Sequence, residues 1–506
     1  MVKAQVVSGG GRAWSTAPRK VAAPPAAPTE EQAAAIEAFG DGHNMVLEAL
    51  AGTGKTTTLR QLAHSTNMRG LYLAYNRSTA DEAQGMFPSS TRCSTIHSLA
   101  YRAVVDDVMR ERLNAPRQTS ADVAKIIGAP AGFKLDGGRG RLLGSSQLAR
   151  LALETVTAFC YSDDQEIGPQ HVPAQTGVDA PAEVRALAAV VVPLAKSAWW
   201  DLRSPDGAVR FQHDHYMKLY ALREPQLAAD FVLVDEAQDS NDVVVGLVNR
   251  QRDCQVVAVG DRRQQLYEWR GSVDAMDAFH PETRLYLTQS FRFGPAIAER
   301  ANRWLIALGA DVLLRGTRSI QSVVGPMAKP AAVLCRTNAE VIQRVMDAQL
   351  AGTPVAIAGG GRDVRALAEA AEQLKDVGRT WHPELCMFTS WGEVQDYVEE
   401  GGGQDLKTLV RLVDRHGARA IVRAIDRCVP EATARLVVST VHKAKGREWG
   451  TVLIADDFEG PGEEADGSAK SLVAAEAMTA YVAVTRARFG LDDSSLSWLD
   501  AHLDAE

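Results

Sequence analysis

Short apolar runs, separated by stretches with apolar residues at helical spacing, are the first regularity of this chain. Met45 to Leu50, Leu71 to Tyr75, Phe231 to Val234 and Gln255 to Val259 read as strands. So do Ala331 to Cys335, Pro354 to Ala358, Arg435 to Ser439 and Thr451 to Ala455. Apolar runs without polar alternation are those of strands buried on both faces, which is how parallel sheets read. Alternation of such strands with helices predicts an α/β class, and there are enough strands for two sheets. Thr29 is placed to cap a helix containing Gln32 and Ile36. Residues 101–205 read as mostly helical, with glycine breaks around Gly137 to Gly144. Residues 1–24 are rich in Gly, Ala, Ser and Pro and carry Arg12, Arg19 and Lys20, the pattern of a flexible, mildly basic arm.

Composition adds limits rather than a function. With 506 residues the chain has room for about three or four domains, and its 46% hydrophobic and 23% charged residues are ordinary for a globular protein. No apolar run approaches the roughly eighteen residues that span a bilayer, and no secretory h-region is present. The six cysteines are scattered without a CxxC pair. They are expected as reduced core residues, with no zinc site, iron–sulfur cluster or disulfide framework. His213 and His215 stand two apart with no third ligand nearby, too few for a metal site. The expected compartment is the cytoplasm of a bacterium or a phage-infected host. The net charge of −8 does not exclude nucleic acid, because affinity follows the local Lys and Arg that face phosphates.

Chemistry enters at Ala49-Leu-Ala-Gly-Thr-Gly-Lys-Thr56, between the first predicted strand and a helix. Ala49, Ala51, Gly52, Thr53, Gly54 and Thr57 belong to a relaxed P-loop, whose backbone N–H groups cradle phosphates at a helix N-terminus. Lys55 should reach the β/γ-phosphates, and the Thr56 hydroxyl should hold Mg²⁺. Phe231-Val-Leu-Val-Asp-Glu-Ala-Gln-Asp239 delivers two acids from a buried strand. Asp235 is placed for Mg²⁺ and Glu236 for polarising an attacking water, which a hydrolase requires and a simple kinase does not. The chain therefore reads as an NTPase using ATP and Mg²⁺.

Five further motifs follow in order: Pro28-Thr-Glu-Glu-Gln32, Gly260-Asp-Arg-Arg-Gln-Gln-Leu-Tyr-Glu-Trp-Arg-Gly271, Leu287-Thr-Gln-Ser-Phe-Arg292, Ser439-Thr-Val-His-Lys-Ala-Lys-Gly-Arg-Glu-Trp449 and Tyr481-Val-Ala-Val-Thr-Arg-Ala487. Together with the P-loop they resemble superfamily 1 DNA helicases of the UvrD/Rep type. The HKAKGREW and AGTGKTTTL forms resemble most the F-box DNA helicase branch and related phage or bacterial helicases, although no F-box is recognisable in residues 1–24. The resemblance implies two RecA-like P-loop motor domains of parallel sheet with helical insertions. It implies that Gln32 reads adenine, Phe291 stacks on it, Glu448 contacts ribose, and Gln264, Arg292 and Arg486 serve hydrolysis. Arginines from a second domain can stabilise transition-state charge on the γ-phosphate.

The same resemblance implies a single-stranded DNA track, read by stacking on aromatics. Its candidates are Tyr75, Asn76, Thr95, His97, Tyr267, Trp269, Arg270, Arg336, Thr440 and His442. The expected division is an arm at 1–24 and a first motor domain of 25–100 with 206–280, interrupted by a 1B-like helical insertion at 101–205. A second motor domain of 281–358 with 434–494 is interrupted by a reduced 2B-like insertion at 359–433, and an acidic tail covers 495–506. The activity implied is an ATP-dependent single-stranded DNA translocase and helicase, of 3′→5′ polarity, acting on single strands and junctions with duplex. A monomer suffices, and repair or replication proteins are the expected partners. Two alternatives are a remodeller of DNA-bound protein with weak unwinding, and a non-catalytic DNA-binding subunit. The small 2B-like insertion bears on the first of these, because opening duplex costs about 1.4 kcal/mol per base-pair step and calls for a separating wedge.

Overall fold

The computed structural model describes residues 27–503, apart from 117, 135–141, 176–177, 179, 266–274, 383, 387, 400–403 and 463–471. Two parallel sheets, one from each half of the chain, form the frame of the molecule. In chain order the first half contributes β1 (Met45–Ala49), β2 (Gly70–Leu73), β3 (Thr91–Ser94), β4 (Gly132–Lys134), β5 (Leu142–Gly144), β6 (Phe231–Val234), β7 (Gln255–Gly260) and β8 (Thr283–Leu287). Their main sheet has the order β3-β2-β6-β7-β1-β8, while β4 and β5 form a separate antiparallel pair. Strands β1, β2 and β6 are buried along their whole length, as their apolar residues on both faces demand. Edge strand β3 is polar, and its outer edge is covered by Gln84, whose amide accepts Cys93 N–H at 3.0 Å and donates to the Thr91 carbonyl at 3.5 Å.

The second half contributes β9 (Val323–Val324), β10 (Ala332–Cys335), β11 (Val355–Ile357), β12 (Leu436–Thr440), β13 (Trp449–Ile454) and β14 (Ala487–Asp492). All six are parallel in the order β11-β12-β10-β13-β14-β9. All eight strands expected from the apolar runs are present, and the α/β class with two parallel sheets stands.

Each sheet is covered on both faces. On one face of the first, Val46, Val232 and Val234 share a core with Ala152, Phe159, Val191 and Leu202 from the helices Ser145–Tyr161 and Pro181–Arg203. The helical insertion is thus built onto the sheet through continuous apolar contact. Its other face packs on Leu59 and Leu62 of the helix Lys55–His64. No helix among the described residues is long and apolar enough to cross a membrane.

Three details depart from the expected layout. The first sheet extends past residue 280: β8 pairs with β1 from Met45 opposite Thr283 to Ala49 opposite Leu287. Residues 495–503 are packed structure rather than a solvated tail, with Leu496 and Leu499 fully buried. There Asp500 pairs with Arg300 at 2.6 Å and Arg303 at 2.7 Å, so its charge is matched locally. In the 359–433 insertion, the helices Arg362–Val377, Gln404–His416 and Ala418–Asp426 bury Leu367, Leu409 and Ile421 against Val333 and Cys335 of β10. That element extends the core of the second sheet. Of the cysteines, Cys160 and Cys335 are buried as expected, whereas Cys386 is exposed.

Candidate nucleotide site and nucleic-acid track

Strand β1 ends in the glycine loop. Gly52 and Gly54 take φ of +72° and +80°, a left-handed backbone open to glycine at little cost. The helix Lys55–His64 then begins without a side-chain cap, so its first N–H groups are available to an anion. Lys55 Nζ lies 3.9 Å from Glu236 Oε2. The Thr56 hydroxyl donates to Asp235 Oδ2 at 3.1 Å, and the Tyr72 hydroxyl donates to the same oxygen at 2.5 Å.

The two acids after β6 divide their charge unequally. Burial and the neighbouring Glu236 push the Asp235 carboxyl above its ordinary range. Burial would raise Glu236 too, but Lys55, Lys445, the Gln238 amide and Arg486 together draw it down to about 2. Glu236 also sits at φ +50°, in a left-handed conformation that costs a non-glycine residue about 1–3 kcal/mol and clusters at functional sites. A Mg²⁺ ion fits the donors at this spot, because the hydroxyl of Thr56 and the carboxylate of Asp235 are hard oxygens already within contact. No cluster of three or more His, Cys, Asp or Glu suited to a metal exists among the described residues, so phosphate and water would complete its shell.

The second half of the chain closes over this loop. A Cβ on Gly52 would stand 2.6 Å from Ser290 Oγ and 2.7 Å from Arg292 Cβ. Arg292 donates through Nε to Glu448 at 2.9 Å and through Nη1 to the Thr485 carbonyl at 2.8 Å. Arg486 is buried and donates through Nη2 to Gln264 Oε1 at 3.2 Å. Burial, then Arg292, lowers its proton affinity. Gln264 in turn donates to Asp261 at 2.7 Å. The structure thus brings Lys55, Asp235 and Glu236 of the first sheet together with Gln264, Arg292, Glu448 and Arg486. Gln32 and Phe291 flank the same loop: a Cβ on Gly54 would meet them at 3.5 Å and 3.7 Å. Phe291 is 48% exposed, as a stacking platform must be. The Gln32 amide is buried, donating to Thr58 Oγ1 at 3.1 Å and accepting Thr29 N–H at 3.1 Å in a capping box.

Several residues at the seam were not singled out from the sequence. Lys445 Nζ pairs with Asp239 at 2.5 Å and donates to the Gln264 carbonyl at 2.8 Å. Gln238 donates to Glu236 at 2.6 Å and accepts Asp261 N–H at 3.0 Å. The Tyr481 hydroxyl donates to Asp261 at 3.2 Å and accepts Ala51 N–H at 3.3 Å. All lie inside the motifs, but linear spacing does not say which partners meet across two sheets.

The track candidates follow strands other than the one that ends in the glycine loop. Tyr75 and Asn76 follow β2, Thr95 and His97 follow β3, Arg336 follows β10, and Thr440 and His442 sit at the end of β12. Tyr75 is 38% exposed. Asn76 and Thr95 are helix caps, accepting Thr79 N–H at 2.9 Å and Ser98 N–H at 3.1 Å. His97 lies 3.7 Å from Asp214, and Arg336 makes a two-pronged pair with Glu476 at 2.6 and 2.8 Å. His442 is half-buried, and burial followed by the charge of Arg336 lowers its pKa. Tyr267, Trp269 and Arg270 lie outside the described residues.

Known proteins match this arrangement. The AAA domain model matches residues 32–270, and the UvrD-like helicase C-terminal domain model matches residues 393–495. The chain is 28% identical to F-box DNA helicase protein 1 of Schizosaccharomyces pombe, over 91% of this chain and 56% of that protein. It is 31% identical to F-box DNA helicase 1 of Gallus gallus, over 82% of this chain and 43% of that protein. The chain spans about half the length of these curated relatives, and both are eukaryotic, so they lend no support to the expected bacterial or phage setting. With a P-loop half and a UvrD-like half matched in chain order on two parallel sheets, the chain belongs to the UvrD-like superfamily 1 helicases.

Proposed function

We propose that the chain is an ATP-dependent DNA helicase that translocates along single-stranded DNA in the 3′→5′ direction. The observation that carries this reading is the seam itself: Arg292, Lys445, Tyr481 and Arg486 of the second half engage the P-loop and its acids in the first. ATP bound there contacts both sheets, with Lys55 and the loop amides on its phosphates and Phe291 under its base. Mg²⁺, held by Thr56 and Asp235, supplies charge neutralisation at the phosphates when bound.

Glu236, held ionised, is a weak proton acceptor and a strong hydrogen-bond acceptor, suited to orienting the attacking water. Arg292 and Arg486 stabilise charge developing on the γ-phosphate, a contribution of about 10³ to 10⁵ in rate for such arginines. Loss of that phosphate removes what the two arginines share with the loop, so the halves favour different separations before and after hydrolysis. A strand gripped at both ends of the track by Tyr75, Thr95 and His97 on one sheet and by Arg336, Thr440 and His442 on the other is then drawn along. Both halves of the ATP site lie in one chain, so a monomer suffices. Single strands and single-strand/duplex junctions are the proposed substrates, with repair or replication proteins as partners.

A second reading, a remodeller of DNA-bound protein with weak unwinding, is favoured by one observation: the 359–433 helices merge into the core of the second sheet. The test of the leading reading is steady-state ATPase without nucleic acid and with single-stranded DNA, duplex DNA or RNA, alongside Lys55→Ala and Trp269→Ala. Stimulation by single-stranded DNA, abolished by the first change and weakened by the second, is expected. An ATPase indifferent to every nucleic acid would overturn the track.

A further inference from the structure

The chain passes once between the described strands of the two sheets: β8 ends at Leu287 and every later strand belongs to the second sheet. Leu287 is held in the first sheet opposite Ala49, and its carbonyl accepts Leu50 N–H at 3.1 Å. Ser290 already belongs to the second half, its N–H donating to the Arg315 carbonyl at 2.8 Å. The crossing is Thr288 and Gln289, which already pair with the second half: the Thr288 carbonyl accepts Arg315 N–H at 2.9 Å and Gln289 bridges to Arg315. One carboxylate gathers it. Glu31 accepts Thr288 N–H at 2.8 Å, the Thr288 hydroxyl at 2.5 Å and Gln289 N–H at 3.4 Å. It also accepts Arg315 Nη2 at 2.5 Å, while Arg315 Nε donates to Thr288 Oγ1 at 3.1 Å.

The position of this carboxylate matters for the site. Glu31 is the neighbour of Gln32, and Thr288 lies three residues before Phe291 and four before Arg292. Gln32 and Phe291 flank Gly54, and Arg292 packs on Gly52. Thr288 and Gln289 are half-buried. Beyond them Phe291 N–H donates to the Gly52 carbonyl at 2.8 Å, which ties the segment to the loop on one side. The charge-assisted clamp of four contacts on Glu31 holds its other side, where the chain leaves β8.

We propose that Glu31 is a positioning residue that clamps the covalent crossing between the two sheets and so sets Arg292 in register with the P-loop. The proposal rests on the ATPase reading of the site, and the Glu31 carboxylate acts through the crossing, bonding Thr288, Gln289 and Arg315. Its role is to make Arg292 arrive at the same place at each closure, so its loss is felt in the chemical step rather than in nucleotide binding.

The test compares wild type, Glu31→Ala, Glu31→Gln, Arg292→Ala and the Glu31→Ala/Arg292→Ala pair in ATP hydrolysis, with hydrogen exchange across residues 285–292. For Glu31→Ala the expectation is kcat lowered about 10- to 100-fold with KM for ATP within about twofold. Faster exchange at Thr288 and Gln289 should accompany it. Glu31→Gln keeps an acceptor for the backbone N–H groups and should recover part of kcat. The pair should be no slower than Arg292→Ala alone, because both changes remove one function. The proposal is overturned if Glu31→Ala leaves kcat and the exchange of Thr288 and Gln289 at wild-type values. It is equally overturned if the two losses multiply, or if KM rises while kcat holds. A wild type that hydrolyses ATP without responding to DNA would sink the track and leave this test readable on basal hydrolysis. A wild type that hydrolyses nothing would overturn the ATPase reading and with it the proposed step, while the exchange data would still report the clamp.

Discussion

Asp239 and Lys445 meet in the seam with side-chain exposures of 1% and 11%, where a lost partner leaves a buried charge. Burial raises the Asp239 carboxyl, Lys445 draws it back, Glu236 raises it again, and the result is about 6. A carboxyl raised in this way contributes stability that is present below its ordinary value near 4 and is lost as pH rises through about 6. Glu236, held at about 2, keeps its charge throughout the working range and cannot produce an acid limb there. Burial also raises the Asp235 and Asp261 carboxyls of the same site. Asp239 is expected to contribute an acid limb near pH 6 in kcat, because its ionised form holds Lys445 and accepts, at 3.5 Å, from Gln238, the residue that donates to Glu236. Lys445→Ala removes a lowering influence, so the limb should move to higher pH, and Asp239→Asn should flatten it. Profiles of kcat over pH about 5 to 9 check this, and an unmoved limb in Lys445→Ala would refute the assignment. A second outcome concerns the loop: Gly52→Ala should abolish hydrolysis while the fold persists, since its Cβ would overlap Ser290 and Arg292 at a φ of +72°. Circular dichroism alongside ATPase checks both halves of that statement. At this scale the meeting of Lys55 with Glu236 and of Thr56 with Asp235 was legible, because a glycine loop after one buried strand and an acid pair after another point to the same sheet edge. The Tyr72 hydroxyl on Asp235 was not, because a tyrosine inside an apolar strand looks the same whether its hydroxyl has a catalytic partner or not.

The central strands were legible as elements because they are apolar on both faces, whereas β3, β8 and β14 escaped notice. β3 reads Thr-Arg-Cys-Ser, an edge strand with buried and exposed positions mixed, and β8 and β14 lie beside motifs whose polar residues obscure the run. The C-terminal segment shows the opposite error, where acidic composition concealed packing. Its helix Trp498–Leu503 sets Leu499 into the second core and stacks Trp498 edge-on against Trp304, ring centroids 5.5 Å apart. Asp500 meets Arg300 and Arg303 there, so a charge that reads as solvated in sequence is a packing contact in space. Leu499→Ala should therefore lower the unfolding free energy of the second half by about 2–5 kcal/mol, as buried leucine truncations do. Urea denaturation followed by tryptophan fluorescence reads it. A change below about 0.5 kcal/mol, the level of surface substitutions, would mean that the segment is dispensable.

For the molecule as a whole, the position of each function along the strand order matters more than the outline of the domains. In the first sheet β2 and β3, the strands before the track candidates, lie side by side with β2 next to β6, and the acids after β6 face the loop after β1; in the second, β12 leads both to Thr440 and His442 and to Lys445 of the seam. Rotation of one sheet against the other about the Thr288 crossing would therefore change the seam and the track together, which is what coupling of hydrolysis to strand movement needs. On the proposed reading, translocation requires nothing further. Unwinding requires something to stand in the path of the duplex, and the 359–433 helices are packed into the second sheet's core instead of forming a body of their own. Each base-pair step resists by about 1.4 kcal/mol on average, so a motor without a strong wedge advances mainly when the junction frays. The expected outcome is rapid single-strand translocation with unwinding that falls steeply as the duplex at a 3′-tailed junction is lengthened or enriched in G·C. Translocation is read by displacement of a streptavidin block from the end of a single strand, and unwinding by strand release from tailed duplexes, under the same ATP and salt. Equal rates on A·T-rich and G·C-rich duplexes would show that the small insertion separates strands actively. Rates that track base-pair stability would place the work in the stepping of the two sheets, with the junction opened by thermal fraying.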